Sequence, residues 1–417
     1  MVSLSNHERT YDTVSRGRGE RAKRDRQVII MMKKIFPLLM VVLLCLNGCA
    51  SRQPPPPPKD KVKTEFLLVS HRSPTGQSDR SQEALEKKKE IYHTLKNLSG
   101  QSHIVIIYDA SGSMRERLGE KEQKRFEAAY EGLKQVVSLF RPKDDVRVVV
   151  FGSKKVSGLT PEGVIIRKDY LKAMEACADV ELVYSSPKEG FDPKDLLKAI
   201  QFLGSEKAYI GDTPIGYSVL KAHSLLKGLP NSTAILVTDG EETGPLLAQN
   251  ISKDKAWEQR LRRDYSNFDE LTISAFDSIK KLVDEKIHFS PILYGLRGSG
   301  DKEGQKIRDF YHKLATASGS VYLEAVTPHE LLNAFMDAEM MSFTYGLYST
   351  ESDKKGQRMA KGKVGIPLMI EEGKYLLRTD TEKPFEQEVE LKPRVKNVYS
   401  FNINKDGKMS LVAIGNP

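Results

Sequence analysis

From residue 103 the chain alternates short apolar runs with helical stretches, and this alternation restricts the fold more than any other feature. His103-Ile104-Val105-Ile106-Ile107-Tyr108, Val146–Phe151, Ala234–Val237, Ile287–Leu296 and Val321–Ala325 are short, largely apolar runs, the pattern of strands covered on both faces. Between them the periodicity predicts helices over Lys124–Phe140, Pro193–Phe202, Ile215–Leu226, Ala275–Lys286, Gly304–Ser318 and Pro328–Met341. Strand and helix in turn imply an α/β fold over 101–342, with a mostly parallel central sheet flanked by helices. A chain of 417 residues is too long for one core, and from 343 to 417 its character changes. Strand-like pieces and turn signals, such as Asp406-Gly407 between Tyr399–Ile403 and Met409–Ala413, predict a separate small all-β, sandwich-like domain. Residues 80–100 predict a helical lead-in, and 241–270, around the lone Trp257, a surface insertion or partly helical loop.

Charge removes one class of partner. The net charge is +9, but residues 1–48 hold nine Lys/Arg against four Asp/Glu, so +5 of the excess lies outside the predicted folded body. The basic balance therefore gives no support for nucleic-acid binding, and none is expected. Lys33-Lys34 followed by the uncharged run Ile35–Leu46 is too short to span a bilayer and has the layout of a signal peptide over 32–48. Its end, Leu46-Asn47-Gly48-Cys49, resembles the bacterial lipobox. That resemblance implies cleavage before Cys49, a lipidated Cys49 as membrane anchor, and a cell-envelope location; Ala50 in place of Asp favours the outer membrane. Residues 1–31 are Arg-rich and fit no signal peptide, while Met31-Met32 stand directly before Lys33, so 1–31 is expected to be a mis-assigned extension. Pro54–Pro58 predicts a stiff spacer within a linker over 49–79.

The first strand ends in Asp109-Ala110-Ser111-Gly112-Ser113-Met114. Ligands of open α/β sheets bind beyond the carboxyl ends of strands, where these side chains emerge. Thr213, in Gly211-Asp212-Thr213-Pro214, precedes a helix, and Asp239, in Thr238-Asp239-Gly240, follows a strand. Asp109, Ser111, Ser113, Thr213 and Asp239 form an oxygen-only set suited to a hard cation, Mg²⁺ first, with Mn²⁺ and Ca²⁺ as alternatives; the absence of Cys and His from the set argues against zinc and copper.

These three separated pieces resemble, in order, the metal-ion-dependent adhesion site of the von Willebrand factor A family: Asp-x-Ser-x-Ser, a distant Thr and a distant Asp. The resemblance spans about 101–342 and implies a Rossmann-like domain. It implies a divalent ion held by Ser111, Ser113 and Thr213, with Asp109 and Asp239 reaching it directly or through water, and a partner protein's carboxylate completing the coordination. Asp212 stands where that family commonly has small residues, so an added negative charge beside the site can alter metal preference.

The expected activity is recognition, not turnover. A structural scaffold of an envelope complex, with a structural or vestigial metal, is the alternative. An aspartyl-nucleophile phosphatase would need a second acid where Ser111 stands. Gly298-Ser299-Gly300 is too loose a match for a nucleotide turn, and no Gly-x-Ser-x-Gly elbow surrounds Ser111 or Ser113. His223 is expected to be packed or solvated, Cys177 a small buried side chain, and Lys87-Lys88-Lys89 a solvated helix face.

Overall fold

A computed structural model describes residues 61–69, 82–118, 123–153, 178–240, 242, 255–296, 302–404 and 406–414, all within the unit Lys61–Pro417. The expectations for Cys49, the signal peptide, Pro54–Pro58, Cys177, Gly298-Ser299-Gly300 and the Trp257 side chain fall outside the described residues.

The chain begins with β1 (Lys63–Val69) and α1 (Gln82–Leu98), then enters the alternation: β2 (His103–Asp109), α2 (Arg125–Val137), β3 (Asp145–Phe151), β4 (Val180–Ser185), α3 (Pro193–Ala199) and α4 (Ile215–Leu226). β5 (Ser232–Thr238), α5 (Lys255–Asp264), α6 (Phe268–Leu271), α7 (Ala275–Asp284), β6 (His288–Tyr294), α8 (Lys302–Ala317), β7 (Leu323–Ala325) and α9 (Pro328–Met340) complete it. The central sheet has six strands in the order β4-β3-β2-β5-β6-β7, parallel except for β4, which pairs antiparallel with β3.

Burial on both faces follows the side-chain period of two. Ile104, Ile106 and Tyr108 of β2 pack into one core with Phe126, Leu133 and Val136 of α2 and Leu331 and Phe335 of α9. Val105 and Ile107 point the other way, into a core with Ile215 and Val219 of α4, Ile279 of α7 and Leu314 of α8. An apolar strand without alternation thus feeds two cores at once, which is why the β2 sequence carries no polar face.

Beyond α9 lie β8 (Thr344–Ser349), β9 (Arg358–Lys363), β10 (Leu368–Glu371), β11 (Gly373–Thr379), β12 (Glu386–Leu391), β13 (Lys396–Ile403) and β14 (Met409–Ile414). They form two sheets, β12-β11-β8-β9 and β10-β1-β13-β14. Phe66 of the second meets Tyr345 of the first edge-on, with ring centroids 5.7 Å apart, so the sheets face one another across a shared core.

Two expectations need correcting. Lys63–Val69, placed in the linker over 49–79, is a strand: β1 runs parallel to β13 and antiparallel to β10, in the middle of a sheet otherwise built from the C-terminal region. Its KTEFLLV pattern buries Phe66 and Leu68, an amount of apolar surface that a spacer would not carry into water. Lys87-Lys88-Lys89 is not uniformly solvated either. Lys88 is buried, pairs with Asp337 at 2.7 Å and donates to the Asn333 carbonyl at 3.3 Å, fastening α1 to α9, whereas Lys87 and Lys89 pair with Glu83 and Glu86 on their own helix. Deeper in the same seam, the buried Lys96 contacts Glu339 and lies 3.5 Å from Asp144, and Tyr92 also hydrogen-bonds to Glu339. Among the described residues, no helix is long and apolar enough to cross a membrane.

Candidate functional site

β2 and β5 are neighbours at the centre of the sheet, but the chain leaves β2 for β3 on one side and continues from β5 to β6 on the other. The chain direction thus switches between β2 and β5, and in open α/β sheets it is at the carboxyl ends beside such a switch point that ligands are expected to bind. Asp109 closes β2, and Asp239 follows β5 directly.

Hydrogen bonds tie the two loops together. Asp109 is fully buried: its Oδ1 accepts from the Ser111 N–H at 2.7 Å and its Oδ2 from the Thr238 hydroxyl at 2.6 Å. The Ser111 and Ser113 hydroxyls are 3.0 Å apart, and Ser113 donates to Asp239 Oδ1 at 2.7 Å. Asp239 Oδ2 accepts from Arg125 Nη1 at 2.8 Å. Met114, fully buried in the core on the α2 side, pins the short 3₁₀ turn Gly112–Arg115 that aims Ser113 at Asp239.

Thr213 arrives on a third loop. Ser111 pairs with Gly211 in a parallel bridge, the Gly112 N–H donates to the Gly211 carbonyl at 3.1 Å, and the Gly211 N–H donates to the Gly152 carbonyl at 2.8 Å. This triple approach requires glycine. Gly152 has φ +74°, and a methyl group there would sit 2.6 Å from the Ser111 nitrogen and 2.8 Å from the Asp212 carbonyl oxygen. At Gly240 a methyl group would stand 3.7 Å from Ser113 Oγ and 3.8 Å from Thr213 Oγ1, so those two hydroxyls flank one point of the Asp239 loop. All five predicted residues therefore gather at one rim, on loops far apart in sequence.

The electrostatics are one-sided. Burial pushes the Asp109 carboxyl up to about 7, the nearby Asp239 charge adds to the rise, and the hydrogen bonds from Ser111 and Thr238 oppose it. Burial also raises Asp239, against the pull of Arg125. Half-buried Asp212 is raised by burial as well. Two buried carboxylates and three hydroxyls suit a hard cation: these groups are all oxygen, and added positive charge would offset the cost of burying both acids, which the Arg125 guanidinium already offsets in part. Among the described residues, no group of three or more His, Cys, Asp or Glu could hold a metal, so an ion here would depend on the serine and threonine oxygens.

Sequence reasoning missed three contributors. Thr238, adjacent to Asp239, holds Asp109, and the strand-end pattern could have shown it. Glu242, just downstream, accepts from the Gly216 N–H at 2.6 Å and the Ala275 N–H at 3.1 Å, joining the N-terminal turns of α4 and α7; burial pushes its carboxyl up to about 7. Arg125, the first residue of α2, reaches across to Asp239, and nothing in its sequence context marks it out. His223 is half-buried on α4.

No family model matches the chain, and no curated protein does. Among solved structures, the chain is similar to a von Willebrand factor type A protein from Catenulispora acidiphila, with 14% identity over 70% of this chain and 66% of that one, TM-score 0.36. It is also similar to the pilus adhesin SpaC from Lactobacillus rhamnosus GG, with 11% identity over 75% of this chain and 50% of that one, TM-score 0.38. The manganese-loaded TRAP protein of Plasmodium vivax is 13% identical over 70% of this chain and 93% of that one, TM-score 0.35. The chain thus spans just under two thirds of the first and half of the second.

Proposed function

We propose that this rim is a divalent-cation site, with Mg²⁺ the preferred ion and Mn²⁺ or Ca²⁺ the alternatives, through which a von Willebrand factor A-type domain binds a partner protein. Ser111, Ser113 and Thr213 would hold the ion, with Asp109 and Asp239 as its charged neighbours. The ion would supply a Lewis-acidic position open to a partner's carboxylate. The observation that carries the reading is the convergence of loops following β2, β3 and β5, and preceding α4, on two buried carboxylates at the switch point of the sheet.

Recognition fits better than catalysis. Asp109 is buried with a hydrogen bond at each oxygen, a poor state for a nucleophile attacking a phosphate ester. We further propose that lipidated Cys49 anchors the chain in a bacterial cell envelope, the outer membrane favoured, presenting the domain to its partner. The test is capture from membrane extract with and without chelator, comparing the wild-type chain with Asp109→Ala and Thr213→Ala. A carboxylate-bearing protein retained only by metal-loaded wild type supports the reading. Retention that ignores both chelator and substitution rejects it in favour of a scaffold.

A further inference from the structure

Among the described residues, Arg125 is the one basic side chain bonded to the acids of this site. It starts α2, passes against Gly295, and ends with Nη1 2.8 Å from Asp239 Oδ2 and 3.1 Å from Glu116 Oε2. Its inner and outer partners differ. The Asp239 side chain is fully buried, whereas that of Glu116 is 64% exposed, so the inner contact is the electrostatically consequential one. A methyl group on Gly295, whose φ is +81°, would stand 2.9 Å from Arg125 Cδ, so the glycine leaves the channel through which the arginine stem passes. The buried Nε makes no hydrogen bond among the described residues, so the side chain is placed by packing and by its charge rather than by a full set of donors.

We propose that Arg125 is a built-in counter-cation of the site: it holds Asp239 in the metal-free protein and thereby sets how tightly, and how reversibly, a divalent ion binds. The inference rests on the cation-site reading above. With Arg125 in place, an incoming ion meets two carboxylates already offset by one positive charge, and it competes with the guanidinium for the field of Asp239. Without it, the ion meets both carboxylates at full charge in a buried setting, where a unit charge a few ångströms away has a large effect on affinity. The arginine therefore trades affinity for a folded, ligand-ready empty state.

The experiment is titration of the full chain with MnCl₂, read by calorimetry and by the electron paramagnetic resonance signal of free Mn²⁺, alongside melting in chelator and in saturating Mn²⁺. Arg125→Gln keeps an amide donor for Asp239 but removes the charge, and should bind Mn²⁺ about tenfold tighter or more. Its metal-induced rise in melting temperature should exceed that of wild type. Arg125→Lys should stay near wild type. Glu116→Gln, which removes the outer partner, should weaken binding by about twofold or less. Damage to the fold would lower affinity, so tightening is not a result that a purely structural role gives. Should Arg125→Gln fold only when Mn²⁺ is present, that dependence is the same coupling in its extreme form. Equal or weaker binding by a folded Arg125→Gln chain overturns the inference while leaving the site standing. No Mn²⁺ binding by wild type overturns the site itself.

Discussion

Between α1 and α9 the buried Lys96 meets Glu339 and Asp144, with Arg141 bonded to Asp144 at 2.7 Å, so that two cations face two acids; at the carboxyl end of the sheet, Asp109 and Asp239 have, among the described residues, Arg125 alone. Burial works against Asp144 as it does against Asp109, yet the Arg141 hydrogen bonds and the Lys96 charge hold Asp144 below the usual carboxylate range, while Asp109 rises to about 7. The first cluster is neutral in sum and joins helices. The second is left one positive charge short, at a rim where something else can supply it. Buried charge is common to both clusters; the local imbalance is what sets the proposed cation site apart.

The largest expected effect comes from unbalancing the balanced cluster. Lys96→Met leaves Glu339 buried beside Asp144 and should cost about 3–5 kcal/mol in urea unfolding; a loss below about 1 kcal/mol would break the contrast. Next is ligand linkage. A divalent ion at a hundredfold excess over its dissociation constant should stabilise wild type by about 2.7 kcal/mol. Melting with and without Mg²⁺ should show that rise surviving in the Lys96→Met chain and vanishing in Asp109→Asn and Thr213→Ala.

A third test uses pH. The Glu242 carboxyl is raised in the fold to about 7 from an ordinary 4.5, so its protonated form is the one that the fold favours. Its stabilising contribution is complete below about pH 4.5 and is lost as pH rises from there to about 7, by roughly 3 kcal/mol. Glu242→Gln should flatten that segment of the stability profile; an unchanged slope would place the titration elsewhere. The smallest effect separates neighbours on α1. Lys88→Met should cost about 1 kcal/mol through its link to Asp337, and Lys87→Ala under about 0.5 kcal/mol.

The α/β region was legible because its strands are short, largely apolar runs and its helices keep the 3.6 period; Ile215–Leu226 matches the observed α4 end to end. The segments that bring Asp109, Ser111, Ser113, Thr213 and Asp239 to one rim were legible too, since each lies in a short motif at the end of a strand or the start of a helix. What escaped are pairings between distant segments. β1 carries a strand pattern, but only its partners β10 and β13, some 300 residues on, reveal that it belongs to the C-terminal sheets. Arg125 and Lys88 resemble ordinary solvated charges of amphipathic helices until the neighbouring elements are in place. β4 lacks the continuous apolar run of the inner strands because it is an edge, and its reversed direction is not written in its composition.

The position of β1 has a mechanical meaning. A pull on the residues preceding Lys61 enters the fold along a strand flanked on both sides, and the parallel pairing from Glu65–Lys396 to Val69–Ser400 would have to slide as a block rather than open one rung at a time. The chain is thus gripped, where tension from that side would arrive, by its own distal end.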